Sequence, residues 1–200
     1  MRNRLGVCAW LLVAALVASS CSHREDPNEV AVLDTSYGQI VIEFETAAAP
    51  KNVANFKNLA RDHFYDGTKF HRIVKIENRI VAIQGGDPNT INGDPATWGM
   101  GQPGQKKVAG EFSKTLKHVG GTVSMARVSN DPDSATSQFF ICTAPNPQWD
   151  GQYSIFGKVI QGMNVVEAIS RAPVGRNGSQ PLDPVVIKGV RLVKRSEIGL

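Results

Sequence analysis

Apolar and polar positions alternate with the period of a β-strand in two short runs, "VAVLDT" (30–35) and "QIVIEF" (39–44). "SYG" separates them, so the pair predicts an antiparallel hairpin. The period then changes. In "AAAPKNVANFKNLARDHF", Val53, Phe56, Leu59 and Ala60 recur at helical spacing, with Pro50 near the start where its missing N–H is harmless. "DG" at 66–67 turns the chain, and strand-like runs follow at Lys69–Val74, Ile80–Gln84, Gly121–Ala126, Gln138–Thr143, Ser154–Val159 and Val185–Val193. "GMNVVEAISRA" is a second, short amphipathic helix, and glycine- and proline-rich connections fill 85–111 and 144–153. No internal repeat or second domain is visible. Many antiparallel strands and two helices predict a mainly β fold, a closed barrel with its helices outside and at the ends.

The first residues follow another pattern. Arg2 and Arg4 precede an apolar run from Leu5 to Val17, then small Ala18, Ser19 and Ser20, then Cys21. This is an export signal, too short in its apolar part for a spanning helix. Its small-small-Cys ending resembles a bacterial lipoprotein signal, which implies lipidation at Cys21. The expected organisation is a signal at 1–20, a lipidated tether at 21–29, a domain at 30–195 and a C-terminal tail at 196–200. The expected location is the membrane surface facing the periplasm, with a soluble periplasmic form as the alternative.

Composition narrows the chemistry. The formal charge is +4, Arg2 and Arg4 supply half of it, and the basic residues are scattered. A nucleic-acid partner is not expected. Of three cysteines only Cys142, in "FFICTA", stays with the domain once Cys8 and Cys21 are set aside. It reads as a small buried hydrophobe. The four histidines (23, 63, 71, 118) are isolated, no Cys/His spacing suggests zinc, and neither metal nor cofactor is expected. "GMGQPG" (99–104) matches G-x-G-x-x-G but lacks the strand before and the helix after that a dinucleotide site needs. It reads as a flexible loop.

Arg72 is the chemical puzzle, a guanidinium inside the apolar stretch "TKFHRIV". Alternation groups Phe70, Arg72 and Val74 on one face, Ile80, Ala82 and Gln84 on a second, and Gln138, Phe140 and Cys142 on a third. The opposite faces, with Ile73, Val81, Ile83, Phe139 and Ile141, look like core apart from His71. If these strands are neighbours, one barrel surface carries an arginine, two glutamines and a phenylalanine around a shallow apolar depression.

"FHRIV", "IQGGD", "GTVSMA", "SQFFICT" and "DGQYSIFGKVIQGMNVVEAI" occur in that order. Together they resemble the cyclophilin family of peptidyl-prolyl isomerases over roughly Val30 to Val193. The resemblance implies an eight-stranded antiparallel barrel capped by two helices, an outer groove for proline-containing polypeptides, and no metal or organic cofactor. It also implies roles. Arg72 matches the catalytic arginine, and Gln84 the glutamine contacting both substrate backbone and arginine. Phe140 matches the floor of the proline pocket, Ala126, Arg127 and Val128 the segment pairing with substrate backbone, and Gln138 a groove glutamine. Tyr153 stands at the pocket rim.

Departures from the family pattern concern substrate preference. The connection "IVKIENRIVAI" between Arg72 and Gln84 is longer than usual. Val81 and Ala82 fall where bulkier groups line the pocket, which widens it unless Ile76 or Ile80 fills the space. Arg127 replaces a smaller polar residue. Trp149 stands one position from the family's usual tryptophan, as an equivalent apolar wall.

The implied reaction is rotation about an X–Pro bond, whose barrier is about 18–20 kcal/mol and whose uncatalysed exchange takes tens to hundreds of seconds. The twisted state has a pyramidal, more basic nitrogen. A donor aimed at that nitrogen favours the twisted state over the planar one. A guanidinium is always charged and offers rigid donors. No proton has to move, so His71 is expected to be a hydrogen-bonded structural residue beneath the groove. The expected function is prolyl isomerisation during folding of envelope proteins, by a monomer. The alternatives are a proline-segment-binding chaperone or adaptor with weak activity, and a purely structural envelope lipoprotein.

Overall fold

The computed structural model describes residues 26–200. Residues 1–25, with the export signal and Cys21, lie outside the described residues. Eight strands close into an antiparallel barrel: β1 (Glu29–Thr35), β2 (Gly38–Phe44), β3 (Lys69–Ile76), β4 (Arg79–Asp87), β5 (Thr122–Met125), β6 (Phe139–Cys142), β7 (Ile155–Gln161) and β8 (Val185–Lys194). Around the barrel the order is β1-β2-β7-β5-β6-β4-β3-β8. Closure leaves no unpaired edge, so the barrel has no template for edge-to-edge association.

Two helices of the expected kind are present, α1 (Pro50–Arg61) and, after a four-residue α2 (Asn89–Asn92), α3 (Met163–Ser170). Pro50 opens α1, as its spacing predicts. The helix sends Phe56 into the barrel core, where its ring lies 5.1 Å from Phe156 and 5.6 Å from Phe139. Val166 and Ile169 of α3 join the same core. Strand β1 starts at Glu29, one residue before the expected boundary, and the C-terminal residues form a 3-10 turn whose Ile198 packs near Val30, Val32 and Val41.

Strict alternation fails in β3. Phe70 pairs with Gly85 but Arg72 pairs with Gln84, so His71 is an extra residue in a β-bulge. Phe70 therefore turns into the core, fully buried, instead of sharing a face with Arg72. The bulge depends on the paired glycines of "IQGGD". A Cβ on Gly85 would sit 3.0 Å from the Phe70 ring, and one on Gly86 would sit 2.9 Å from the Ser137 carbonyl oxygen.

The long connection after Arg72 is a strand extension. Ile76 pairs with Arg79, and Glu77 and Asn78 both take left-handed backbone, φ 49° and 64°, as a two-residue primed turn requires. A second irregularity lies between the Val74–Ala82 and Lys75–Ile80 pairs, with Val81 between them.

Candidate active site

Strands β3, β4, β6 and β5 are consecutive neighbours, and their register places four residues in one row: Arg72 opposite Gln84, Gln84 opposite Phe140, Phe140 opposite Ser124. Residues far apart in the chain thus become adjacent on the barrel's outer surface. The Arg72 guanidinium is exposed, and its Nη1 donates to Gln84 Oε1 at 3.5 Å. Gln84 Nε2 donates to Gln138 Oε1 at 3.0 Å, and Gln138 Nε2 donates to the Gly99 carbonyl at 3.1 Å. The chain of amides fixes which face of Gln84 meets the arginine. Among the described residues no carboxylate pairs with Arg72, so its remaining donors are open to a ligand.

Phe140 is the floor of the adjoining groove. Its ring meets Trp149 edge-on at 4.9 Å and Tyr153 at 5.4 Å, and it rests with Ala82 and Cys142 in a small apolar cluster that also includes Val74 and Ala126. The groove has a volume of about 390 Å³, with Arg72, Gln84, Ala126, Arg127, Phe140, Trp149 and Tyr153 in its lining. Lys75 and Ile76 of the extended hairpin also reach it, so Ile76 occupies lining left open by the smaller residues of β4, whereas Ile80 is absent from that lining. A neighbouring concavity of about 480 Å³ shares Gln84, Ala126 and Arg127 and adds Gln138, the exposed Val128 and the loop 99–105. The "GMGQPG" segment is therefore a wall beside the groove.

The expected site residues converge, with one exception and one change of role. Val81 is fully buried and its carbonyl is bonded by the Thr143 amide, so its side chain does not line the groove. Alternation from Gln84 sets Ala82, not Val81, on that side of β4, and Ala82 lies buried beneath Phe140 as support rather than in the lining. Arg127 is held by the carbonyls of Gln152, Val128 and Ser129 at 2.9, 3.1 and 2.7 Å, with its guanidinium 4.7 Å from the Tyr153 ring centroid. That cation–π contact stiffens the rim.

His71 is buried, but neither ring nitrogen has a hydrogen-bond partner among the described residues. The expected bonded histidine is thus only half realised. Burial first, and to a lesser degree the Arg72 charge, lowers its pKa, against the opposing pull of Asp87 and of the Lys69 backbone. The shift favours the neutral imidazole. Burial also pushes the Cys142 thiol up to about 12, which makes it inert as a nucleophile.

One group was missed from the sequence. His118 stacks on Phe140 at 6.0 Å and 21°, its Nδ1 lies 3.1 Å from Asp150 Oδ1, and its Nε2 lies 3.0 Å from Ser124 Oγ. The order Ser–His–Asp has the contacts of a hydrolytic triad, but Ser124 and His118 are buried behind the floor, out of reach of a substrate. The trio braces Phe140 and, through Asp150, the turn bearing Trp149. Residues 118, 124 and 150 share no local motif, so no sequence signal joined them.

A closed antiparallel barrel carries, on its outer surface, an arginine with no carboxylate partner among the described residues, an amide relay and an aromatic-floored open groove. The family model described as "Cyclophilin type peptidyl-prolyl cis-trans isomerase/CLD" matches residues 30–192. A "Peptidyl-prolyl cis-trans isomerase-like 3" of Gallus gallus is 38% identical over 162 residues, 80% of this chain and 93% of that protein. A "Peptidyl-prolyl cis-trans isomerase" of Acinetobacter baylyi is 38% identical over 173 residues, covering 82% of this chain and 86% of the relative. A cyclophilin-type isomerase of Cryptosporidium parvum, crystallised in the presence of the dipeptide Ala-Pro, superposes with a TM-score of 0.71 at 30% identity, covering 83% of this chain and 99% of the other. The chain belongs to the cyclophilin-type peptidyl-prolyl cis-trans isomerases.

Proposed function

We propose that this groove binds proline-containing polypeptides and lowers the barrier to X–Pro rotation, with Arg72 as the donor to the pyramidal nitrogen. Gln84 orients the guanidinium and offers its amide to the substrate backbone. Phe140, walled by Trp149 and Tyr153, grips the proline ring while the carbonyl side turns. The carrying observation is the Arg72–Gln84–Phe140 row across three strands, with the guanidinium bonded, among the described residues, only to an amide oxygen. A millionfold acceleration requires roughly 8 kcal/mol, more than one exposed arginine supplies in water. The apolar floor accounts for the difference by excluding water and strengthening the donor bond. Exchange spectroscopy on a short X–Pro peptide tests this. The parent chain should accelerate exchange, and Arg72→Ala should lose about 10²–10³-fold in kcat/KM, the cost of one transition-state donor. Peptide binding with no acceleration by the parent would make the groove a binding module instead.

The setting we propose is the bacterial envelope, where the protein, lipidated at Cys21 and anchored to a membrane, assists the folding of exported proteins. The charge, length and cleavage-site pattern of residues 1–21 supports this reading. The first strand of the barrel starts at Glu29, eight positions after that cysteine in the sequence. Intact mass of membrane-extracted protein tests it: a chain starting at Cys21 with added acyl mass is expected, and an unmodified chain in the soluble fraction would refute the anchor.

A further inference from the structure

The lengthened β3–β4 hairpin changes the charge of the groove. Lys75 and Ile76 stand in the groove lining together with Arg72 and Arg127. Among the described residues no aspartate or glutamate lines this groove, the neighbouring concavity, or the third one beside His71 and Arg72. None of the three cations of the groove has a carboxylate in direct contact among the described residues; Asp131, which pairs with Lys107, lies within electrostatic range of Arg127 only. Arg127 is held by three neutral carbonyls, Arg72 bonds only the Gln84 amide, and exposed Lys75 has no ion pair or hydrogen bond among the described residues. Lys107, in the neighbouring concavity, is different: Asp131 pairs with it at 2.9 Å. Glu77, at the hairpin tip, is exposed and outside the lining.

We propose that this groove selects proline segments carrying a carboxylate on a residue flanking the proline, and that Lys75 is a specificity-determining residue for that choice. The inference rests on the isomerase reading and names its preferred substrate. A peptide lying across Phe140 brings its flanking side chains among three positive charges, none directly paired with a carboxylate among the described residues. A glutamate there supplies that partner, and a lysine there is repelled. Each attraction is small because the cations are partly solvated, and it is screened over about 8 Å at physiological salt. Acting together they give a Glu-over-Lys preference of about 3–10-fold in kcat/KM. Ile76 adds an apolar surface for the aliphatic stem of the same side chain.

The experiment uses the full chain and blocked peptides alike except at the residues flanking proline: Ala-Pro-Ala, Glu-Pro-Ala, Ala-Pro-Glu and Lys-Pro-Lys. Exchange spectroscopy gives kcat/KM for each, and chemical-shift titration gives affinity in parallel. Because the readout is a ratio between peptides on one preparation, a general loss of activity cancels. At low salt at least one glutamate peptide should exceed the lysine peptide about 3–10-fold, and the ratio should shrink toward one in molar salt. Lys75→Glu should bring the ratio to one or below. A ratio of one in the parent at low salt overturns the proposal, and a ratio unmoved by Lys75→Glu overturns the assignment to Lys75. If no peptide exchanges faster, the isomerase reading itself fails, and the titration still reads the charge preference.

Discussion

Trp149 meets Phe140 edge-on at 4.9 Å, and its indole forms one wall of the groove whose floor is the phenylalanine. It reaches that place from a 3-10 turn, Pro147–Trp149, immediately before Asp150. Asp150 accepts from the His118 backbone at 2.8 Å, so the turn is tied to the brace behind the floor. Trp149→Ala should therefore lower kcat/KM on a neutral X–Pro peptide by about 5–20-fold, chiefly through KM, since the lost term is ring contact. Exchange spectroscopy over a range of peptide concentrations separates KM from kcat.

In the proposed mechanism Gln84 acts through Arg72 as well as on the substrate. Gln84→Ala leaves the positive charge in place but removes its acceptor and breaks the relay to Gln138 and Gly99. The expected result is about a tenfold loss in kcat/KM, smaller than that of Arg72→Ala, because one modest hydrogen bond is worth about 1 kcal/mol. A loss as large as that of Arg72→Ala would make Gln84 the principal donor.

Gly86 combines positive φ (82°) with a backbone wall 2.9 Å from where a Cβ would sit. Gly86→Ala should destabilise the fold by about 2–4 kcal/mol, from left-handed strain plus overpacking. Thermal or urea unfolding measures it. A variant as stable as the parent would mean the bulge can relax.

Stability should fall in mild acid. Burial lowers the pKa of both His71 and His118 below the ordinary 6.5. The unfolded chain then takes up protons before the native one does. Stability is full above about 6.5 and declines below it until the native imidazoles protonate, by up to about 1.4 kcal/mol per pH unit for each histidine. Asp87 beside His71 and Asp150 beside His118 pull the other way and soften the slope. Asp150 itself is lowered, chiefly by the His118 backbone N–H, so its own contribution disappears only as pH falls through a value below 3.8. Urea unfolding at pH 7.5, 6.5 and 5.5 checks the slope, and His118→Gln should flatten it.

The strand runs, the two main helices and the outward placement of Gln84 and Phe140 were legible because each follows a local period. The β4 and β6 segments kept that period where it mattered, so Gln84, Gln138 and Phe140 were grouped correctly by face. Phe70 was misassigned because a bulge at His71 breaks the period, and nothing in "KFHRIV" announces a bulge. Val81 was misassigned to the pocket by resemblance, while its own alternation had placed it in the core, where it lies.

What the sequence determined by itself was the inventory: which segments extend, which coil, and that a guanidinium had to stand at a surface within an apolar strand. Those are consequences of side-chain period and solvation, both local. Only the tertiary structure decided who stands beside whom. Arg72, Gln84, Phe140 and Ser124 become one row because barrel closure sets the register of β3, β4, β6 and β5. That register comes from contacts between distant segments, so no window of the sequence contains it, and the His118–Ser124–Asp150 brace stays hidden for the same reason.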